Sequence, residues 1–163
     1  MIHKCMNSKL KMIKIMKKLF FLNLFVFYLF FTTNVIAEKS KHFDRGKNLF
    51  EKNEFEKSKI FFERDIVFNP KSEKSYLYLA KIYYKNENDE EEEMHLNNVL
   101  LLNPQNEEAI YMLTLLKIKQ SNYKEAKDLI NKFDLVCNSF CSKKSEMQKK
   151  FNKLIPENAK DKN

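Results

Sequence analysis

The sequence lacks the side-chain motifs that typically carry out catalysis or bind metal ions. The two histidines beyond the first 37 residues, His42 and His95, do not stand in a metal-ligand spacing, and no HExxH or GxSxG motif occurs. With one glycine, Gly46, the chain cannot form a glycine-rich phosphate-binding loop. The sequence therefore predicts a non-enzymatic protein with no cofactor and no metal, and catalysis would require groups from another chain.

Four consecutive glutamates, Glu90 to Glu93, form the densest acidic cluster. Sites for hard cations need oxygen atoms that converge from a folded loop, whereas neighbouring positions of a helix point in different directions. Carboxylates in the first turn of a helix also interact favourably with its positive end. The run therefore predicts a solvated helix start, with Glu91 and His95 as a surface pair one turn apart.

The first 37 residues have the zones of a secretory signal peptide. A basic stretch at 11–18 precedes the apolar run LFFLNLFVFYLFF at 19–31, and small residues follow in Val35-Ile36-Ala37. As a helix this run would rise roughly 20 Å, less than the ~30 Å hydrocarbon core of a bilayer. We expect cleavage between Ala37 and Glu38 and export to the periplasm. The alternative is an uncleaved anchor in the inner membrane, and the protein would contact the membrane only through it.

The net charge of +8 comes mostly from this leader. The chain has 30 basic and 22 acidic residues, and six of the lysines lie in the first 37 residues, which contain no Asp or Glu. Without the leader the basic excess is only two. The sequence therefore does not predict a nucleic-acid partner.

Two cysteines four residues apart, Cys137 and Cys141, are the remaining candidates for chemistry. Removal of the leader takes Cys5 away and leaves an even pair in an oxidising compartment, where thiols in a tight turn can form a disulfide. The alternative is a pair of buried reduced thiols. A metal site is disfavoured because no second ligand pair exists, and a c-type haem because CxxCH is missing.

The sequence beyond the leader matches itself at an offset of 34 residues. Asn69-Pro70 recurs as Asn103-Pro104, and small residues stand in register at Gly46, Ala80 and Thr114. The pattern of apolar residues in each unit predicts two short amphipathic helices. Asn-Pro ends the first two units, because proline disfavours helix in the residue before it. The expected helices lie near 40–52, 55–68, 73–86, 89–102, 107–120 and 123–136. Stacking of such pairs buries an apolar stripe that one pair cannot cover.

With these residues the sequence resembles the tetratricopeptide repeat (TPR) family over residues 39–140. The middle unit carries the resemblance best, through Tyr76, Leu79, Ala80, Tyr83, Leu96 and Pro104. The third unit departs from the family at Lys117, where an apolar residue is usual, and at Asn138, where proline is usual. The resemblance implies an all-α, right-handed solenoid of helical hairpins, with three pairs at 39–72, 73–106 and 107–140.

A further helix is expected after the third unit. Within 141–155, Met147, Phe151 and Leu154 share one helix face and lysines occupy the others, as in a C-terminal capping helix that solvates the end of a stack. The polar composition of residues 156–163 predicts a disordered tail.

The resemblance also implies where a partner would bind, because the first helix of each unit lines the concave face of such a stack. It places eleven side chains in a groove, and their apolar members lie off the stripe used for packing. The predicted groove residues are Phe43, Lys47, Phe50, Leu77, Lys81, Tyr84, Lys85, Tyr111, Leu115, Ile118 and Lys119. The alternative is that the capping helix or self-association covers part of this groove.

Aromatic and aliphatic side chains with lysines beside them suit a partner segment that has apolar anchors and acidic residues. In chaperone-binding members of the family, lysine and asparagine clamp a C-terminal carboxylate pair. Here Phe43, Tyr78 and Glu108 stand at those positions, so we do not expect chaperone-tail recognition. The sequence predicts a protein-binding adaptor of the cell envelope. The alternative is a membrane-anchored, self-associating structural protein.

Overall fold

The computed structural model describes residues 16–18, 20, 23 and 41–154. The chain forms two compact units, residues 1–39 and 40–163. The predicted cleavage site between Ala37 and Glu38 and the predicted tail at 156–163 lie outside the described residues, as does most of the predicted leader. No helix in the described part of the chain has both the length and the apolar character needed to cross a membrane.

Residues 41–154 contain three consecutive helix pairs and a seventh helix, with no β-strand among them. A short 3-10 helix, Cys141–Lys143, precedes the seventh helix. The α-helices are α1 Lys41–Glu51, α2 Phe55–Phe68, α3 Glu73–Lys85, α4 Asp89–Leu102, α5 Glu107–Lys119, α6 Tyr123–Val136 and α7 Lys144–Leu154. The helix bounds expected for the three units are confirmed to within one residue.

The turn inside each pair repeats at the same offset of 34. Asn53, Glu87 and Ser121 have φ values of 60°, 54° and 59°, so each pair reverses direction through one left-handed residue that is not glycine. Asn88 and Asn122 then cap the second helices, each accepting a hydrogen bond from the backbone N–H three residues on. The periodicity seen in the sequence is therefore a periodicity of turn geometry.

Two clusters of buried apolar side chains fill the stack. Phe62, Leu79 and Ile82 form one cluster, around which Phe43, Phe50 and Tyr78 pack. The second extends from Ala80 and Leu96 through the third pair to Met147 of α7, which is fully buried. Helix α7 therefore packs against the third helix pair through Met147.

Glutamates at the start of the first helix connect successive units. Glu73 accepts hydrogen bonds from the side chains of Asn103 and Asn106, at 3.0 and 2.5 Å. Glu107, 34 residues later, accepts them from the backbone N–H groups of Asn138 and Phe140, at 2.9 and 2.7 Å. These bonds lower the pKa of Glu107. The turn that lacks the usual proline is thus held by a carboxylate.

Candidate functional site

A cleft of about 900 Å³ lies between α3, α5 and α7, and Phe50 of α1 and Glu92 of α4 complete its lining. Its walls are aromatic and aliphatic, with lysines and glutamates among them. The lining residues are Phe50, Lys81, Tyr84, Lys85, Glu92, Glu108, Tyr111, Met112, Leu115, Leu116, Ile118, Lys119, Glu146, Lys150, Lys153 and Leu154. A cleft of this size and polarity suits the side chains of a bound segment.

The cleft brings together eight of the eleven predicted groove residues. They come from α1, α3 and α5, the first helices of the three units: Phe50, Lys81, Tyr84, Lys85, Tyr111, Leu115, Ile118 and Lys119. Ile118 is also part of the core, with 4% of its surface exposed. Tyr84 is 61% exposed, which leaves its ring available to a partner.

The other three predicted residues, Phe43, Lys47 and Leu77, do not line the cleft. The ring of Phe43 packs 5.8 Å from the rings of both Phe62 and Tyr78, and Leu77 packs against the second core cluster. Lys47 is exposed and lies 3.7 Å from Glu51 on its own helix. The expectation that the apolar groove residues lie off the packing stripe holds for Tyr84 alone. Phe43 and Phe50 pack against the first core cluster, Leu77, Tyr111 and Leu115 pack against the second, and Ile118 is buried.

Most of the lysines around the cleft have carboxylate partners. Lys81 lies 2.8 Å from Glu108, Lys119 lies 2.6 Å from Asp89, and Lys150 lies 3.1 Å from Glu146. The other two, Lys85 and Lys153, have no carboxylate partner among residues 41–154. With five lysines and three glutamates in its lining, the cleft has an excess of positive charge.

Helix α7 forms one side of the cleft, and a hydrogen bond fastens it to α5. The hydroxyl of Tyr111 donates to Glu146 at 2.9 Å, and Lys150 and Lys143 lie 3.1 and 3.2 Å from the same carboxylate. Hydrogen bonds from Lys150, Tyr111 and Lys143 lower the pKa of Glu146 to about 2. Burial and the bond to Glu146 raise the pKa of Tyr111 to about 12. The capping helix thus borders the cleft without closing it.

Glu92 does not lie at a solvated helix start, as was expected for the run of four glutamates, but is buried. Only 2% of its surface is exposed, although it lines the cleft, and its side chain has no hydrogen-bond partner in residues 41–154. Burial, and then the charge of Asp89, raise the pKa of Glu92 to about 7. The next residue, Glu93, is also engaged, because it accepts hydrogen bonds from Lys117 and Gln120. The acidic run is therefore partly interior.

Glu91 and His95 do lie next to each other one turn apart, as expected, but His95 is not at the surface. His95 is 6% exposed, and its ring stacks on Tyr83 with centroids 5.3 Å apart. Its Nε2 lies 3.7 Å from the carboxylate of Glu91, which is too long for a hydrogen bond. Burial lowers the pKa of His95 to about 4, so the ring is neutral at physiological pH and belongs to the core.

The structure places the sulfur atoms of Cys137 and Cys141 at disulfide distance, 2.18 Å, with Cα atoms 5.2 Å apart. The pair spans the turn from α6 into the 3-10 helix that precedes α7. A covalent link there limits how far α7 can separate from the third helix pair. It reinforces the hold that Glu107 has on the same turn.

We expect no free thiol in the chain from residue 38 onward when it is denatured without a reductant. Two thiols should appear after reduction, and the free energy of unfolding should fall by about 2 kcal/mol because the closed loop is short. Thiol titration and denaturant unfolding measure the two effects. A Cys137→Ser, Cys141→Ser variant is the control, since reductant should leave its stability unchanged. Two titratable thiols in the unreduced protein would contradict the disulfide.

The side chains at the cleft are suited to contact and charge pairing. Its lining contains no Ser, Cys or His, and its ionisable side chains are those of Glu, Lys and Tyr. In the described part of the chain, no three His, Cys, Asp or Glu side chains converge in a way that could hold a metal ion. The groups present can bury apolar anchors and pair with charges on a bound chain.

Solved structures with similar folds are TPR domains. The TPR domain of Sgt2 from Aspergillus fumigatus matches with a TM-score of 0.60 and 16% identity, over 72% of this chain and 81% of that domain. The second TPR domain of human RPAP3, solved with the HSP70 peptide SGPTIEEVD, matches with a TM-score of 0.57 and 20% identity, over 66% of this chain and 92% of that domain. The chain therefore has the TPR fold, an all-α solenoid of helix pairs.

The likeness to these TPR domains is shown by their structures. No protein-family model matches the chain, and no curated protein sequence matches it. At these identities the solved structures establish the fold alone.

Proposed function

We propose that this TPR-fold chain is a non-enzymatic adaptor that holds an apolar and acidic segment of a partner protein in the cleft between α3, α5 and α7. The observation that carries the proposal is the cleft itself, in which the exposed ring of Tyr84 stands beside aliphatic walls. Exposed apolar surface with a charged border is typical of binding sites. The RPAP3 domain, which has a similar fold, was solved with a peptide bound.

The charge of the cleft favours acidic residues in the segment. Lys85 and Lys153 have no carboxylate partner in residues 41–154, so each can pair with an acidic side chain of the partner without breaking an existing ion pair. Rim charges of this kind increase the rate of association and select the sign of the partner more than they add affinity. Apolar anchors would supply most of the binding free energy.

Recognition of chaperone tails is not part of the proposal. A carboxylate clamp would need lysine and asparagine where this chain has Phe43, Tyr78 and Glu108. Tyr78 packs among Phe43, Phe50 and Phe62, and Glu108 already pairs with Lys81. The partner segment is therefore expected to bind through its side chains.

We further propose that the protein works after export, in the periplasm. Two features support this location: the signal-peptide zones of the first 37 residues, and the cysteine pair at disulfide distance, which suits an oxidising compartment. An uncleaved leader would instead keep the same domain on the periplasmic side of the inner membrane.

Photo-cross-linking tests the binding proposal. A photoreactive residue in place of Lys85 is expected to capture a partner, and Phe50→Ala with Tyr84→Ala should reduce the captured amount at least tenfold. Because Phe50 also packs against Tyr78, Tyr84→Ala alone is the second variant, and circular dichroism checks that helicity is kept. Phe68→Ala with Leu101→Ala, at exposed positions outside the cleft, is the matched control. Undiminished capture by the folded Tyr84→Ala variant would refute the assignment of the cleft.

A further inference from the structure

Glu92 is an exception to the repeat that the rest of the chain follows. At the offset of 34 its register partners are Ser58 and Ala126, small side chains that are fully buried. The hydroxyl of Ser58 donates to the backbone carbonyl of Gly46 at 2.8 Å, so the first unit satisfies its polar group internally. The middle unit has a carboxyl group at this position, which the stacking of helices does not require.

Glu92 is a buried residue whose carboxyl group has no hydrogen-bond partner. The residue is 2% exposed, it lines the cleft, and no donor in residues 41–154 hydrogen-bonds to its carboxyl group. A buried polar group without a hydrogen-bond partner reduces the stability of the fold. Such groups are enriched at binding sites, where a ligand supplies the missing hydrogen bond. The cleft is the route by which a ligand can reach this residue.

The charged groups that face the cleft determine which ligand suits it. Asp89 on α4 pairs with Lys119 on α5, and α5 also supplies Glu108. The remaining charged groups around the cleft come from α3 and α7: Lys81, Lys85, Glu146, Lys150 and Lys153. Lysines outnumber the carboxylates around the cleft, and Lys85 and Lys153 have no carboxylate partner in residues 41–154, so the cleft attracts a carboxylate and repels a cation. A neutral carboxyl group beneath them can donate to that carboxylate in a short, charge-assisted hydrogen bond.

We propose that Glu92, in its neutral form, donates a hydrogen bond to an acidic side chain of the segment held in the cleft, so that capture is stronger at mildly acidic pH. This inference rests on the proposed function and adds a recognition residue to it. Burial brings the pKa of Glu92 to about 7, and an approaching carboxylate raises it further, so the neutral form is accessible near neutral pH. In the bound state a single proton is shared between the carboxyl group of Glu92 and the acidic side chain of the partner, so the two groups titrate together.

The test uses the chain from residue 38 onward, since both core clusters lie in the second compact unit. The probe is a fluorescein-labelled peptide, LEELLEELLEEL, and its Kd is measured by fluorescence anisotropy at pH 6 and pH 8. We expect the Kd to rise about tenfold between these pH values, as deprotonation of one group with a pKa near 7 requires. In Glu92→Gln, which keeps a donor at all pH values, the Kd should stay near its pH 6 value.

The controls separate this inference from the proposed function. His42→Gln, outside the cleft, should keep the tenfold dependence. A flat pH profile in the unmodified chain, together with weakened binding by Tyr84→Ala, would overturn the role of Glu92 and leave the cleft assignment intact. A peptide with Lys in place of Glu that binds more tightly at pH 8 would also overturn it, because an ionised Glu92 would then hold a cation. Absence of binding by both peptides would overturn both proposals.

Discussion

Replacement of Glu92 by alanine is expected to stabilise the protein by about 2 kcal/mol at pH 8. The folded state raises the pKa of this carboxyl group from 4.5 to about 7, so ionisation at pH 8 costs about 3 kcal/mol. The substitution removes that cost and loses roughly 1 kcal/mol of aliphatic burial. Alanine is the residue that the third unit has at the equivalent position, Ala126.

The gain should depend on pH in a defined direction. Because the folded pKa is raised, the native state binds more protons than the unfolded state between pH 4.5 and 7, and the unmodified chain loses stability as the pH rises through this range. At pH 5 the variant should therefore be no more stable than the unmodified chain. Denaturant unfolding at both pH values measures this, with Glu90→Ala, at an exposed position of the same run, as the control. Equal gains at the two pH values would contradict the buried carboxylate.

Replacement of Lys117 by methionine is expected to destabilise the protein by about 2 kcal/mol. Lys117 is 5% exposed, and its ammonium lies 2.5 Å from Glu93 of α4 and 3.2 Å from Glu125 of α6. Burial acts to lower the pKa of Lys117, but these two hydrogen bonds outweigh it and raise the pKa. Removal of one member of a buried ionic group costs ~3–5 kcal/mol. Partial exposure of both glutamates reduces the expected cost here.

Neutralising the two partners should restore most of the lost stability. The triple variant with Glu93→Gln and Glu125→Gln added to Lys117→Met leaves no unpaired charge, and methionine then occupies a site that is apolar in the family. Lys119→Met, two residues on and more exposed, is the control and should change stability by less than about 0.5 kcal/mol. Denaturant unfolding midpoints, at a constant m-value, measure the change in stability of the single variant, the triple variant and the control. A Lys117→Met variant as stable as the unmodified chain would show that the ionic group contributes nothing.

The helix pairs could be predicted from the sequence because their determinants are local and repeat. Asn-Pro ends the first and second units, and Asn88 and Asn122, residues typical of helix caps, cap the second helices of the second and third units. Eight of the eleven predicted groove residues line the cleft, since residues 34 apart on α1, α3 and α5 share one face. Phe43, Lys47 and Leu77 do not line it, and Phe43 and Leu77 pack against the core instead.

What the sequence could not predict depends on contacts between distant residues. The position of α7 beside the cleft was predicted only as an alternative, and it follows from the turn that Glu107 holds and from the bond of Tyr111 to Glu146. The burial of Glu92 contradicts what a run of four glutamates normally indicates. A signal for it was present, however, because Ser58 and Ala126 mark that register as interior.

Because α7 is at once the terminator of the stack and one side of the cleft, the number of repeats and the choice of ligand are not independent in this protein. Insertion of one more helix pair between α6 and α7 would move Glu146, Lys150 and Leu154 a full unit away from Tyr111. The α3 and α5 side chains would then border an open trough instead of a bounded cleft. A longer array, whether it arose in evolution or by design, would therefore bind a wider range of ligands with less selectivity.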